Sequence, residues 1–165
     1  MSKEFDKLLS EAYDLCEDGN FSDALKLYDL VLKKDPQNIS ALIDKGVTLQ
    51  NLGKIKQSIK YYDKVLYLDP KNIRALVNKG ASLHTNKKYH DAIRCYDSAL
   101  KIDKKCAMAL AYKGLSLGEL GNLTDALKHF KKALSIEHDY DLASISKNVV
   151  TELLRSIKKQ KSKIQ

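Results

Sequence analysis

Residues 39–72 read ISALIDKGVTLQNLGKIKQSIKYYDKVLYLDPKN, and residues 73–106 repeat the pattern as IRALVNKGASLHTNKKYHDAIRCYDSALKIDKKC. In the first stretch Leu42, Gly46 and Leu49, then Ile55, Ile59, Tyr62 and Leu66, recur at three- and four-residue steps. That spacing puts them on one face of a helix, whereas a strand would alternate. Asn51-Leu52-Gly53 breaks the stretch in the middle, where Gly accepts the left-handed conformation that ends a helix. Asp69-Pro70 closes it, because Pro cannot continue a helix and disfavours helical backbone before it. The stretch is therefore two amphipathic helices joined by a tight turn.

Outward from it, the period of 34 residues holds over 5–38, 39–72, 73–106 and 107–140 without insertion or deletion. The fourth position is Leu8, Leu42, Leu76 and Leu110, and the eighth is Ala12, Gly46, Gly80 and Gly114. The twentieth is Ala24, Ser58, Ala92 and Ala126, and the twenty-fourth Tyr28, Tyr62, Tyr96 and Phe130. The small residues let the two helices of a pair approach at their crossing, and the aromatic fills the space beside them. The spacing predicts helices near 5–18, 21–34, 39–52, 55–68, 73–86, 89–102, 107–120 and 123–136. The third repeat has Asn86-Lys87-Lys88 at its turn instead of Gly, and Asn86 is expected to take the left-handed position. Each pair then stacks on the next, with burial between neighbours and no single central core.

The period, the paired helices, the Leu–Gly–Leu column of the first helix, the Ala–aromatic–Ala column of the second and the closing Pro resemble the tetratricopeptide repeat (TPR) family. The resemblance covers 136 of 165 residues; Lys104 and His138 stand where Pro would close repeats three and four, and Glu11-Ala12 replaces Leu-Gly in repeat one. It implies an all-α fold, a right-handed α-solenoid of four helix-turn-helix repeats over residues 1–140. Residues 141–165 follow as a C-terminal capping helix and basic tail. In this last segment Leu142, Ile145, Val149 and Leu153 make one apolar stripe and Ala143, Val150, Leu154 and Ile157 a second. Capping needs only one, so the other turns into the groove or meets another molecule. From Arg155 to Lys163 there are five basic residues and no acid, and this end is expected to fray into solvent.

The resemblance further implies a concave face lined by the first helix of each pair, where the family holds peptides or partner helices. Its fifth-position row would be Leu9, Ile43, Val77 and Ala111, and its ninth-position row Tyr13, Val47, Ala81 and Leu115, extended by Ile145 and Val149. The polar flank would include Asp44, Gln50, Asn51, Arg74, Asn78, His84 and Tyr112. A continuous apolar strip on a solvated face suggests an interaction surface. The expected function is a non-catalytic protein–protein interaction module, an adaptor or scaffold, whose partner is a protein or peptide with an apolar face. The family's grip on acidic chaperone C-termini needs Lys and Asn at positions that here carry Leu9, Tyr13, Asp44, Arg74 and Asn78, or Ile43, Val47, Asn78, Met108 and Tyr112. Neither set can hold two carboxylates, so that ligand is rejected.

Charge leaves two alternatives open. Residues 1–38 carry 9 acidic residues against 5 basic, and residues 73–106 carry 8 basic against 3 acidic, within a net charge of +8. An acidic end and basic middle, or the last helix, could drive homo-oligomerisation, and the basic surface could meet nucleic acid. Against nucleic acid, pairs such as Lys26–Asp29, Lys60–Asp63 and Arg94–Asp97 stand at helical spacing and no aromatic interleaves the basic tail. Cys16, Cys95 and Cys106 form no C-x-x-C, and His84, His90, His129 and His138 are scattered. No disulfide framework, metal site, cofactor or enzyme activity is expected. No apolar run is long enough to span a membrane and the first six residues lack a signal-peptide pattern, which leads to the expectation of a cytoplasmic protein.

Overall fold

A computed structural model describes residues 2–161, the side chains of Ser2, Gln160 and Lys161 excepted. Among these residues there are nine α-helices and no strand: α1 (Ser2–Glu17), α2 (Phe21–Lys34), α3 (Ile39–Asn51), α4 (Ile55–Leu68), α5 (Ile73–Thr85), α6 (Tyr89–Ile102), α7 (Ala107–Glu119), α8 (Leu123–Ile136) and α9 (Asp141–Lys161). The fold is an all-α helical-repeat solenoid, and the first eight helices fall within a few residues of the positions the periodicity predicts. Contacts divide the chain into two compact units, one ending at Ser82 and the other beginning at Leu83.

Each turn within a pair places its fifteenth residue in the left-handed region. Gly19, Gly53 and Gly121 have φ of 77°, 72° and 78°, and Lys87 has φ of 59° in the third repeat. The left-handed residue is thus Lys87 and not Asn86. The turn is fixed by register, and the side chain at that register has to tolerate it, at a cost of about 1–2 kcal/mol for a residue with a Cβ.

The loops between pairs are built by short polar side chains. Asn38 Oδ1 accepts a hydrogen bond from Ala41 N–H at 3.0 Å and caps α3, while Asn38 Nδ2 donates to Asp35 at 3.1 Å. Asn72 and Asp69 do the same before α5, at 3.0 and 3.1 Å. Before α7 the matching residue is Cys106, whose side chain makes no capping hydrogen bond. A cap of this kind contributes about 1 kcal/mol.

In the first unit, Ala12, Ala24 and Tyr28 form one buried cluster, Phe5, Val31 and Ala41 a second, and Leu42, Ile43, Val65 and Ala75 a third. In the second unit Leu110, Ala111, Ala126, Phe130, Ala133, Ala143 and Val150 are buried together. The small eighth position is required by contact: a Cβ on Gly46 would lie 2.6 Å from the Tyr62 ring, and one on Gly114 would lie 2.6 Å from Phe130.

The last helix packs on α8 through Ala143 and Val150, with Leu142 and Leu154 partly buried beside them. Leu142 therefore belongs to the packed side. The exposed stripe is Ile145, Val149, Leu153 and Ile157. Residues 155–161 continue α9 as helix where fraying was expected, and Arg155 pairs with Glu152 one turn back at 3.5 Å. The part of the basic tail beyond Lys161 lies outside the described residues.

Candidate functional site

Two polar ladders register the repeats, and they decide which side chains are left for a ligand. The first joins the twelfth residue of one repeat to the tenth of the next. Cys16 Sγ lies 3.3 Å from Thr48 Oγ1, Ser82 Oγ donates to Gln50 Oε1 at 2.8 Å, and His84 Nδ1 lies 2.9 Å from Ser116 Oγ. Thr48 donates its own proton to the Asp44 carbonyl at 2.9 Å, so the Cys16 thiol is the donor in its rung. The second ladder joins the seventh residue to the twenty-fifth of the repeat before. Lys45 pairs with Asp29, Lys79 with Asp63 at 2.6 Å and Lys113 with Asp97 at 2.6 Å.

These pairs replace the expected Lys26–Asp29, Lys60–Asp63 and Arg94–Asp97. Lys26 and Arg94 bond instead to Asp23 and Asp91, while Asp29, Asp63 and Asp97 reach across to the next repeat. The inter-repeat lysines are well covered, with side-chain exposures of 10%, 26% and 19%, so their partners neutralise charges that water no longer can. Burial works against the Lys45 ammonium, but hydrogen bonds to Asp29 and Tyr61 outweigh it and hold its pKa above the ordinary value.

Of the expected fifth-position row, Ile43, Val77 and Ala111 are buried, at 1%, 2% and 0% exposure, and Leu9 is half-buried. They offer a ligand almost no surface. An inner helix is covered on two sides, by its own pair and by a neighbouring repeat, which widens its buried arc. In α3 that arc takes in Ala41, Leu42, Ile43, Lys45, Gly46, Thr48 and Leu49. In the ninth-position row Ala81 is buried, Val47 and Leu115 are half-buried, and Tyr13 is 61% exposed.

The polar flank is partly committed. In the first unit Arg74 donates to Asp44 at 3.0 Å; burial raises the Asp44 pKa, and Arg74 offsets part of that rise. Gln50 belongs to the ladder, Asn51 is exposed and Asn78 half-buried. In the second unit Tyr112 stacks on Tyr96, with ring centroids 6.1 Å apart. His84 meets Ser116 and the edge of Tyr89 at 5.2 Å, and its burial holds the imidazole below its ordinary pKa. Tyr96 is buried and its hydroxyl finds no hydrogen-bond partner among the described residues.

An open apolar surface lies on the second unit. Leu115, Gly118 and Leu123 line a cleft of about 240 Å³ whose other wall is Ile145, Val149, Val150 and Leu153, with Glu119 at its edge. Ile145 and Val149 are 64% and 54% exposed. The sequence places Ile145 and Val149 in continuation of Leu115, and α9 brings them to one cleft. Among the described residues no group of three or more His, Cys, Asp or Glu is arranged to hold a metal ion. No helix among them is long and apolar enough to cross a membrane.

Residues 6–115 match the family model described as the N-terminal TPR repeats region of Psidin, and the chain belongs to this family of tetratricopeptide repeat proteins. No curated protein sequence matches it. Among solved structures, it is similar to pilF from Pseudomonas aeruginosa, with a TM-score of 0.85 at 20% identity over 94% of this chain and 71% of that one. A crystal structure of MamA superposes with a TM-score of 0.73 at 25% identity, over 86% and 82% of the two chains. The first TPR of Spaghetti (RPAP3), bound to the HSP90 peptide SRMEEVD, gives a TM-score of 0.68 at 23% identity, over 73% and 96%.

Proposed function

We propose that this chain is a non-catalytic protein-interaction module, an adaptor or scaffold that holds an apolar-faced peptide or helix of a partner. The observation that carries the reading is the cleft between Leu115, Gly118 and Leu123 on one side and Ile145, Val149 and Leu153 on the other. Four exposed aliphatic residues in register on α9 are more apolar surface than a cap needs, and burying such a stripe releases about 25 cal/mol per Å². In the first unit, exposed Tyr13 and half-buried Val47 with the Asp44–Arg74 pair beside them provide a further contact surface.

The ligand of the RPAP3 domain is an HSP90 peptide, which supports peptide capture as the type of activity. Its acidic chemistry does not transfer. Arg74 is the one cation at the matching positions in the first set, and it is engaged by Asp44. A cytosolic setting is consistent with three free thiols and is part of the proposal.

The test is the Ile145→Glu, Val149→Glu double variant. Both side chains are exposed, so far-UV circular dichroism should be unchanged. Partners retained by the wild-type chain from a nuclease-treated lysate should be lost, as read by quantitative mass spectrometry. Equal retention by both proteins would sink the reading. Val77→Glu is unsuited to this purpose, because at 2% exposure it would bury a charge and unfold the repeat.

A further inference from the structure

The second unit holds a second cavity of different chemistry, which shares no lining residue with the α9 cleft. About 310 Å³ in volume, it is lined by Lys104, Lys113, Lys128, His129 and Lys132 over a floor of Leu100 and Leu110, and no acidic residue lines it. Lys104 comes from the loop after α6, Lys113 from α7, and the other three from α8. We propose that this cavity is a binding site for a phosphate-class oxyanion, either free phosphate or the phosphate of a modified side chain.

The first unit contains a cavity that shares four positions of this register, Pro36, Leu42, Lys60 and Lys64, and it serves as an internal control. There Pro36 stands at the position of Lys104, and Lys60 and Lys64 at those of Lys128 and Lys132. Asp63, also in the lining, adds a carboxylate, one already paired with Lys79 at 2.6 Å. The residue in register with Asp63 is Lys131. The cavity of the second unit thus gains Lys104 where Pro closes the loop of the first, and has no acid in its lining. Lys113 is held by Asp97 at 2.6 Å, which leaves Lys104, Lys128 and Lys132 as the cations with no carboxylate bonded to them among the described residues.

His129 adds direction to that charge. Its Nδ1 is 2.8 Å from the Asp125 carbonyl, and since a carbonyl only accepts, Nδ1 carries the proton. Nε2 is then the ring atom that gains a proton and a donor's role when an anion arrives. Several ammonium groups around one cavity suit a multiply charged, compact anion, because lysine offers point charges without a bidentate fork. A nucleic-acid strand is a poorer match, since no Phe, Tyr or Trp lines the cavity to stack successive bases. The inference is independent of the α9 cleft.

Full-length chain would be titrated at low salt in a phosphate-free buffer with three probes: inorganic phosphate, a capped phosphoserine and a short single-stranded oligonucleotide. Saturable binding of phosphate or phosphoserine is expected, with each probe identifying its own source of the anion. Lys128→Gln with Lys132→Gln should weaken it roughly tenfold or more, and Lys60→Gln with Lys64→Gln should leave it unchanged. All four lysines are exposed, so folding is retained. Equal losses in the two double variants, no saturable binding of either small probe, or binding of the oligonucleotide alone would overturn the site.

Discussion

The seam between repeats one and two and the seam between repeats three and four have the same skeleton in different chemistry. Each carries one lysine–aspartate rung, Lys45–Asp29 or Lys113–Asp97. Each also carries one rung from the twelfth residue, a thiol on Thr48 or an imidazole on Ser116. The loops differ more: Asn38 caps α3, whereas Cys106 leaves α7 without a side-chain cap. At the helix crossing Gly46 and Gly114 face an aromatic ring at the same 2.6 Å, while repeat one packs Ala12 with Tyr28, so this position varies only between the two smallest residues. Steric positions hold the register, and polar positions need only one donor facing one acceptor.

The largest effect should come at the helix crossing within a pair, where repeats two and four agree. Gly46→Ala and Gly114→Ala should each cost about 1–3 kcal/mol in urea unfolding, since the rings they meet are buried and overpacking forces them off their rotamers. If either were neutral, close approach would not be what fixes the crossing. The differences predict gains confined to the second unit. Cys106→Asn should restore a cap and Lys87→Gly should relieve its positive φ, each stabilising by about 1 kcal/mol, readable as a higher denaturation midpoint. Tyr96→Phe should also stabilise by about 1 kcal/mol, because its buried hydroxyl lacks a partner. Tyr62→Phe should not, since the Tyr62 hydroxyl reaches Gln50 at 3.4 Å.

The smallest effect should be a pH dependence restricted to one half of the chain. Burial lowers the pKa of both His84 and His129, and no histidine precedes His84. A histidine whose folded pKa is depressed binds more protons when unfolded, so stability falls as pH drops through its ordinary value of about 6.5. Hydrogen exchange should therefore speed up between about pH 7.5 and 5.5 in residues 83–161, after correction for intrinsic rates, and change less in residues 2–82. Equal change in both halves would assign the effect to carboxylates.

The helices and their pairing are legible in the sequence because apolar and small residues repeat in columns that a reader can align. The ion-pair ladder was equally visible, as Lys45, Lys79 and Lys113 against Asp29, Asp63 and Asp97. A constant separation of 16 residues crosses one loop, while a helix-local partner at three or four residues comes to mind first. The ends carried the same signal. Repeat one has Glu11 at the lysine position, and repeat four has Lys131 at the aspartate position, 16 residues before Lys147 and lining the same cavity, so two like charges stand where the pair would be. What the columns could not give is how far round each helix the burial extends. Ile43 and Leu9 occupy the same position, yet α3 buries its residue and α1 leaves its own half-exposed. That depends on neighbours and not on spacing. The α9 wall of the cleft was partly foreseeable from its double stripe, but which stripe faced outward was decided by packing on α8.

The ladders also bear on how such a chain can change length over generations. Every rung joins residues 16 or 32 apart and crosses a single repeat boundary. A copied 34-residue block therefore arrives with both halves of each rung, the tenth and twelfth residues on its first helix and the seventh and twenty-fifth on its two helices. Tandem duplication of residues 39–72 would yield a longer array whose new boundary is already matched, with no compensating change elsewhere. Growth by duplication is thus written into the spacing itself.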